Sequence, residues 1–123
     1  DIISDVCYRE LLEYHLNLSC DATLAVRTHV IENPYGVLHI VDNELVSCEE
    51  KPKYRSNINS GMYVLHPKVL DLLQLDAYCD MPTLLMDLVD SGGRVTAYRL
   101  KNTWIDVGRP VDLNTARRLQ DLT

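Results

Sequence analysis

The chain has 123 residues, 46% of them hydrophobic and 24% charged, with a formal net charge of −6; this is enough for a single domain spanning residues 1–123 with its own core, and too little for two independent domains. The acidic balance, without any cluster of Lys or Arg, excludes a nucleic-acid or anionic-membrane surface, because both are held by grouped cations. Cys7, Cys20, Cys48 and Cys79 lie far apart with no Cys-x-x-Cys pair, which excludes a zinc knuckle or a dense disulfide frame and points to the reduced thiols of a cytoplasmic protein.

Asp1-Ile2-Ile3 reads as the tail of a strand, and so apolar a start suggests a cut through a larger protein. No signal peptide and no bilayer-spanning run is present. Ser4 or Asp5 is expected to cap a helix whose buried face carries Tyr8, Leu11, Leu12 and Leu16, with His15 in a structural role at its edge. Residues 22–31 form a strand that later alternates apolar with polar, broken by Asn33-Pro34-Tyr35-Gly36. Residues 36–41 and 44–46 flank Asp42-Asn43, a two-residue turn signal that predicts an antiparallel hairpin. Pro67 opens a short helix, and a second helix starts near Asp80-Met81-Pro82 and stops at Gly92-Gly93. Residues 94–100 and 104–107 read as strands, and Pro110 starts the last helix. Strands and helices alternate without a tidy βαβ period, which predicts an α/β fold with a mixed sheet and packed helices.

The chemistry concentrates in residues 46–67. Short strands are expected at 45–48 and 61–65, with an acid, a base and an amide between them. Pro52 cannot donate to a ladder and biases Lys51 toward extended backbone, so Glu49-Glu50-Lys51-Pro52 should end a strand with its polar heads free. Asn59 offers an amide that both donates and accepts beside the small Ser60 and Gly61, a grouping suited to hydroxyl-rich ligands. Solvated surface charge at a strand end is the alternative reading, and the local pattern leaves it open. Asp1 and Asp106, at the ends of the first and last strands, could share a metal, or simply cap those ends.

Several fragments in chain order resemble the sugar-1-phosphate nucleotidylyltransferase family: Asp1-Ile2-Ile3, Tyr35-Gly36-Val37, Glu50-Lys51-Pro52, residues 58–65 and Trp104-Ile105-Asp106-Val107-Gly108-Arg109-Pro110 with Asp112-Leu113. The resemblance covers nearly the whole chain, and residues 80–85 lean toward its mannose-1-phosphate guanylyltransferase-like branch. It implies the C-terminal, sugar-phosphate-binding half of a Rossmann-like nucleotide-diphospho-sugar transferase fold. The family's Gly-rich triphosphate loop has no counterpart here, so a nucleotide-binding half is expected to be missing. The implied activity is transfer of a nucleoside monophosphate from a nucleoside triphosphate to a sugar 1-phosphate, with pyrophosphate released and Mg2+ as cofactor. Gly36, Glu50, Lys51, Asn59 and Trp104 would then contact substrate, Lys51 would neutralise the sugar phosphate, and Asp1 and Asp106 would hold the metal and share in catalysis. A non-catalytic sugar-phosphate-binding, regulatory or assembly module is the competing reading. A fold cut this way leaves uncovered edges, so a homo-oligomer is expected.

Overall fold

In the computed structural model, which describes residues 2–101 and 103–120, the elements run β1 (Ile2–Ser4), α1 (Tyr8–Leu18), β2 (Ala22–Glu32), β3 (Gly36–Val41), β4 (Glu44–Glu50), β5 (Lys53–Leu65), a 3-10 helix (Pro67–Leu72), α2 (Met81–Asp90), β6 (Val95–Arg99), β7 (Trp104–Asp106) and α3 (Pro110–Gln120). Three small sheets result, ordered β5-β2-β6, β1-β7 and β3-β4. Strand β2 runs parallel to β6, while β1 pairs antiparallel with β7, with Ile2 opposite Asp106. Both pairing senses therefore occur, as a mixed α/β fold requires. The chain divides into two compact units, one made of Asp1–Arg27 with Asn59–Thr123 and the other of Thr28–Ile58.

Two apolar clusters build the first unit. Ala22, Val69, Leu84, Leu85 and Leu88 form one, with Leu24, Tyr63 and Leu65 against it. Leu11, Ala25 and Met62 form the other, with Val6, Val64, Tyr98, Leu100 and Trp104 packed on it. Strand β2 thus contributes to both, which explains why its first half reads as a nearly continuous apolar run. A polar cluster pins the same strand: Thr23 Oγ1 lies 2.9 Å from His15 Nδ1, 3.1 Å from Cys20 Sγ and 2.9 Å from Thr96 Oγ1, joining α1, β2 and β6. His15 is buried there, in the structural role expected of it, but of the helix face expected to be buried with it only Leu11 is, while Tyr8, Leu12 and Leu16 are exposed.

Helix α2 begins and ends as its side-chain chemistry dictates, whereas the start of α1 does not. Asp80 caps α2 by accepting from the Thr83 N–H at 2.9 Å, with Pro82 in the first turn, and the chain leaves that helix through Gly92 at φ 86°. Helix α1, however, starts at Cys7 with no side-chain cap, not at Ser4 or Asp5. Ser4 is already in β1 opposite Trp104, its Oγ accepting from the Val6 N–H, and the Asp5 N–H donates to the Thr103 carbonyl.

In the second unit β3 and β4 form the expected antiparallel hairpin, from Gly36↔Glu50 to Val41↔Glu44, with a shift of register at His39/Ile40. Asp42 and Asn43 turn it at φ 48° and 68°, the left-handed pair that a two-residue hairpin favours. Two expectations are corrected here. The strands are longer than residues 45–48 and 61–65, leaving Lys51 and Pro52 alone as the connection and placing Asn59, Ser60 and Gly61 inside β5. Residues 53–57 are exposed, so backbone pairing rather than apolar burial makes them strand. Lys51 is left-handed at φ 44° rather than extended, because the chain must turn between β4 and β5 in two residues while its N–H donates to the Tyr35 carbonyl at 3.2 Å.

Candidate active site

Gly36, Glu50 and Lys51 come together where β3 begins and β4 ends. Gly36 sits opposite Glu50, and a Cβ on Gly36 would lie 3.1 Å from Glu50 Oε2; the bare glycine backbone therefore leaves the carboxylate room. Two straps hold this corner. The Lys51 N–H reaches the Tyr35 carbonyl, and the Asn33 N–H reaches the Pro52 carbonyl at 3.0 Å. Asn33 Oδ1 also accepts from the Tyr35 N–H at 3.1 Å, closing a side-chain turn before Gly36. Glu50 and Lys51 are exposed, so their charged heads are available to a solute while their backbone is fixed.

In the first unit, Asn59 is positioned at both ends of its amide. Its Nδ2 donates to the Tyr63 hydroxyl at 2.5 Å and its Oδ1 accepts from the Gly61 N–H at 2.9 Å. Gly61 takes φ 80°, a conformation costly for other residues. Ser60 is fully buried, with its Oγ donating to the Ala25 carbonyl at 2.6 Å. Its own carbonyl accepts from Trp104 Nε1 at 3.0 Å, so Trp104 holds the residue next to Asn59. Arg27 donates to the Trp104 carbonyl and lies with its guanidinium carbon 5.8 Å from the ring centroid. Asp106 closes β7 with an exposed carboxylate, whose Oδ1 accepts from the Gly108 N–H at 3.0 Å. Arg109 is engaged by Asp112 through two hydrogen bonds of 2.6 and 3.1 Å, which hold its pKa above the usual value.

Asp1 lies outside the described residues, and among those described no group of three or more His, Cys, Asp or Glu is gathered for a metal ion. Magnesium takes hard oxygen ligands and is often held by one or two carboxylates with substrate phosphates completing its shell. Asp106, an exposed strand-end carboxylate, fits that donor chemistry as one ligand. Sequence reasoning missed the roles of Arg27 and Tyr63, and took Ser60 only as a small neighbour of Asn59. For Arg27 a signal was present: it falls in step with Thr23 and Ala25 on β2, a cation at the end of a row of buried positions.

The family model described as Nucleotidyl transferase matches residues 1–121. The chain belongs to the nucleotidyl transferase family. Two relatives show its range. A glucose-1-phosphate adenylyltransferase of Bacillus licheniformis is 37% identical over 88% of this chain and 32% of its own length. Mannose-1-phosphate guanylyltransferase 1 of Arabidopsis thaliana is 32% identical over 97% of this chain and 34% of its own. The chain thus spans about a third of the length of these curated relatives. Among solved structures, HddC from Yersinia pseudotuberculosis superposes with a TM-score of 0.63 at 24% identity, covering 98% of this chain and 52% of that one. That likeness supports the fold of this nucleotidyl transferase segment.

Proposed function

We propose that the protein, at its natural length, transfers a nucleoside monophosphate from a nucleoside triphosphate to a sugar 1-phosphate and releases pyrophosphate, and that this chain supplies the sugar-phosphate contacts. The observation that carries the reading is the corner where Gly36, Glu50 and Lys51 meet: an open glycine backbone, a carboxylate and an ammonium on a strapped turn. The carboxylate of Glu50 accepts from sugar hydroxyls, and Lys51 places a point charge on the phosphate whose oxygen attacks the α-phosphorus. Asn59 and Trp104, in the first unit, are further candidates for substrate contact. Little covalent chemistry falls to the protein in such a displacement, so orientation and neutralisation of charge carry the rate. Asp106, with Asp1, would hold Mg2+, which when bound offsets phosphate charge. The finer reading is mannose 1-phosphate with a guanine nucleotide, supported by the name of the Arabidopsis relative. The four free cysteines support a cytoplasmic setting.

The test is pyrophosphate release by the natural-length protein across a panel of sugar 1-phosphates and nucleoside triphosphates, with and without Mg2+. Lys51→Ala and Asp106→Ala are each expected to lower turnover roughly 100-fold or more, the scale seen when one preorganised charge-stabilising group is removed. Sugar-phosphate binding without turnover for every pair would instead identify a binding module.

A further inference from the structure

The two arginines near β7 are in opposite electrostatic situations. Arg109 is exposed and its charge is met by both oxygens of Asp112. Arg27 is half-buried, and among the described residues no carboxylate lies within ion-pair reach of it. It gives one N–H to the Trp104 carbonyl and spreads its guanidinium beside the Trp104 ring. A guanidinium carries five N–H groups, and partly desolvated cations are retained when something negative or hydrogen-bonding meets them. The aromatic face and one carbonyl give only partial compensation. Trp104 and Asp106 are two apart on β7 and so share one of its faces, which brings a cation and a candidate metal ligand to the same short strand.

We propose that Arg27 is an anion-binding residue whose ligand is a phosphate group, held by the guanidinium fork while the Trp104 indole fixes the plane of that fork. Arginine suits the task because its flat donor array matches two phosphate oxygens at once, and stacking on an aromatic ring limits the side-chain freedom lost on binding. The proposal takes from the proposed function only the class of ligand, a sugar phosphate.

Trp104 is the only tryptophan among these 123 residues, so a natural-length protein in which any further tryptophan is replaced by phenylalanine reads this spot by its emission. The natural-length protein is titrated with mannose 1-phosphate, with inorganic phosphate and with mannose, in wild type, Arg27→Gln and Arg27→Lys, each checked for native secondary structure by circular dichroism. The expected result is an emission change with both phosphate compounds, weakening with added salt. Arg27→Gln should bind them roughly tenfold or more weakly, Arg27→Lys should fall between, and mannose should give no Arg27-dependent change. If Arg27→Gln does not fold, an intermediate affinity in Arg27→Lys supports the proposal and an unchanged one overturns it. Wild-type emission indifferent to phosphate compounds, or Arg27→Gln binding them as wild type does, also overturns it. Phosphate binding through Arg27 without pyrophosphate release would remove the proposed function and leave this inference standing; pyrophosphate release with unaltered binding by Arg27→Gln would do the reverse.

Discussion

Lys51 occupies a left-handed backbone conformation at φ 44°, which costs a residue with a Cβ about 1–2 kcal/mol relative to the right-handed region. The proposed function accounts for a lysine where glycine would be easier, because it needs an ammonium on the residue that follows Glu50. Strain of this kind gathers where structure serves a ligand. Lys51→Gly should therefore raise the unfolding free energy by about 1 kcal/mol, the conformational relief being partly offset by the freer unfolded chain. The same substitution should depress pyrophosphate release as deeply as Lys51→Ala. Denaturant unfolding beside the turnover assay checks both; a Lys51→Gly protein less stable than wild type would remove the strain argument. Local rules pointed the other way at this residue, since a following proline favours extended backbone, and only the strap to Tyr35 and the two-residue link reverse that preference.

Among the elements, those governed by local chemistry were legible in the sequence. Asp80 and Pro82 announced α2, and Asp42-Asn43 announced the hairpin, because a cap or a two-residue turn depends on neighbours a few positions away. Strand β5 was legible only in part: its first half is exposed, and no apolar rhythm marks it as strand. Of the candidate site, the Gly36, Glu50 and Lys51 corner followed from motif order, whereas the links from Asn59 to Tyr63 and from Arg27 to Trp104 depend on the folded path of β2, β5 and β7. The α2 cap yields a pH-dependent prediction. Hydrogen bonds from the Thr83 side chain and N–H hold the Asp80 carboxyl below its usual range. A carboxyl lowered in the folded state stabilises the fold above the unfolded value, near pH 4, and loses that contribution as pH falls through the lowered folded value. Asp80→Ala should thus lower the melting midpoint at neutral pH, and its deficit against wild type should shrink progressively as pH drops below about 4. A deficit constant from pH 7 to pH 3 would mean that the carboxylate is not the cap.

At the scale of the whole molecule, the β3-β4 hairpin carries apolar side chains with little to cover them. Leu38, Ile40, Leu45 and Val46 are 53%, 56%, 63% and 62% exposed, and a two-stranded hairpin is marginal without a packed face. The 123-residue chain is expected to self-associate through this patch, and Ile40→Thr with Leu45→Thr to reduce it, as read by light scattering against concentration. A strictly monomeric chain at high concentration would count against that expectation. The sheets also separate in time. The β3-β4 hairpin closes between neighbours and can form within about 1–10 μs, but β1 finds its partner only at residues 104–106 and β2 finds β6 only at residues 95–99. At a synthesis rate of roughly 5–20 residues per second, β1 waits about 5–20 s on the ribosome before β7 is made. The hairpin is thus complete while the edge of β1 that must meet Asp106 still lacks β7, and a slowed ribosome between residues 50 and 104 would lengthen that interval.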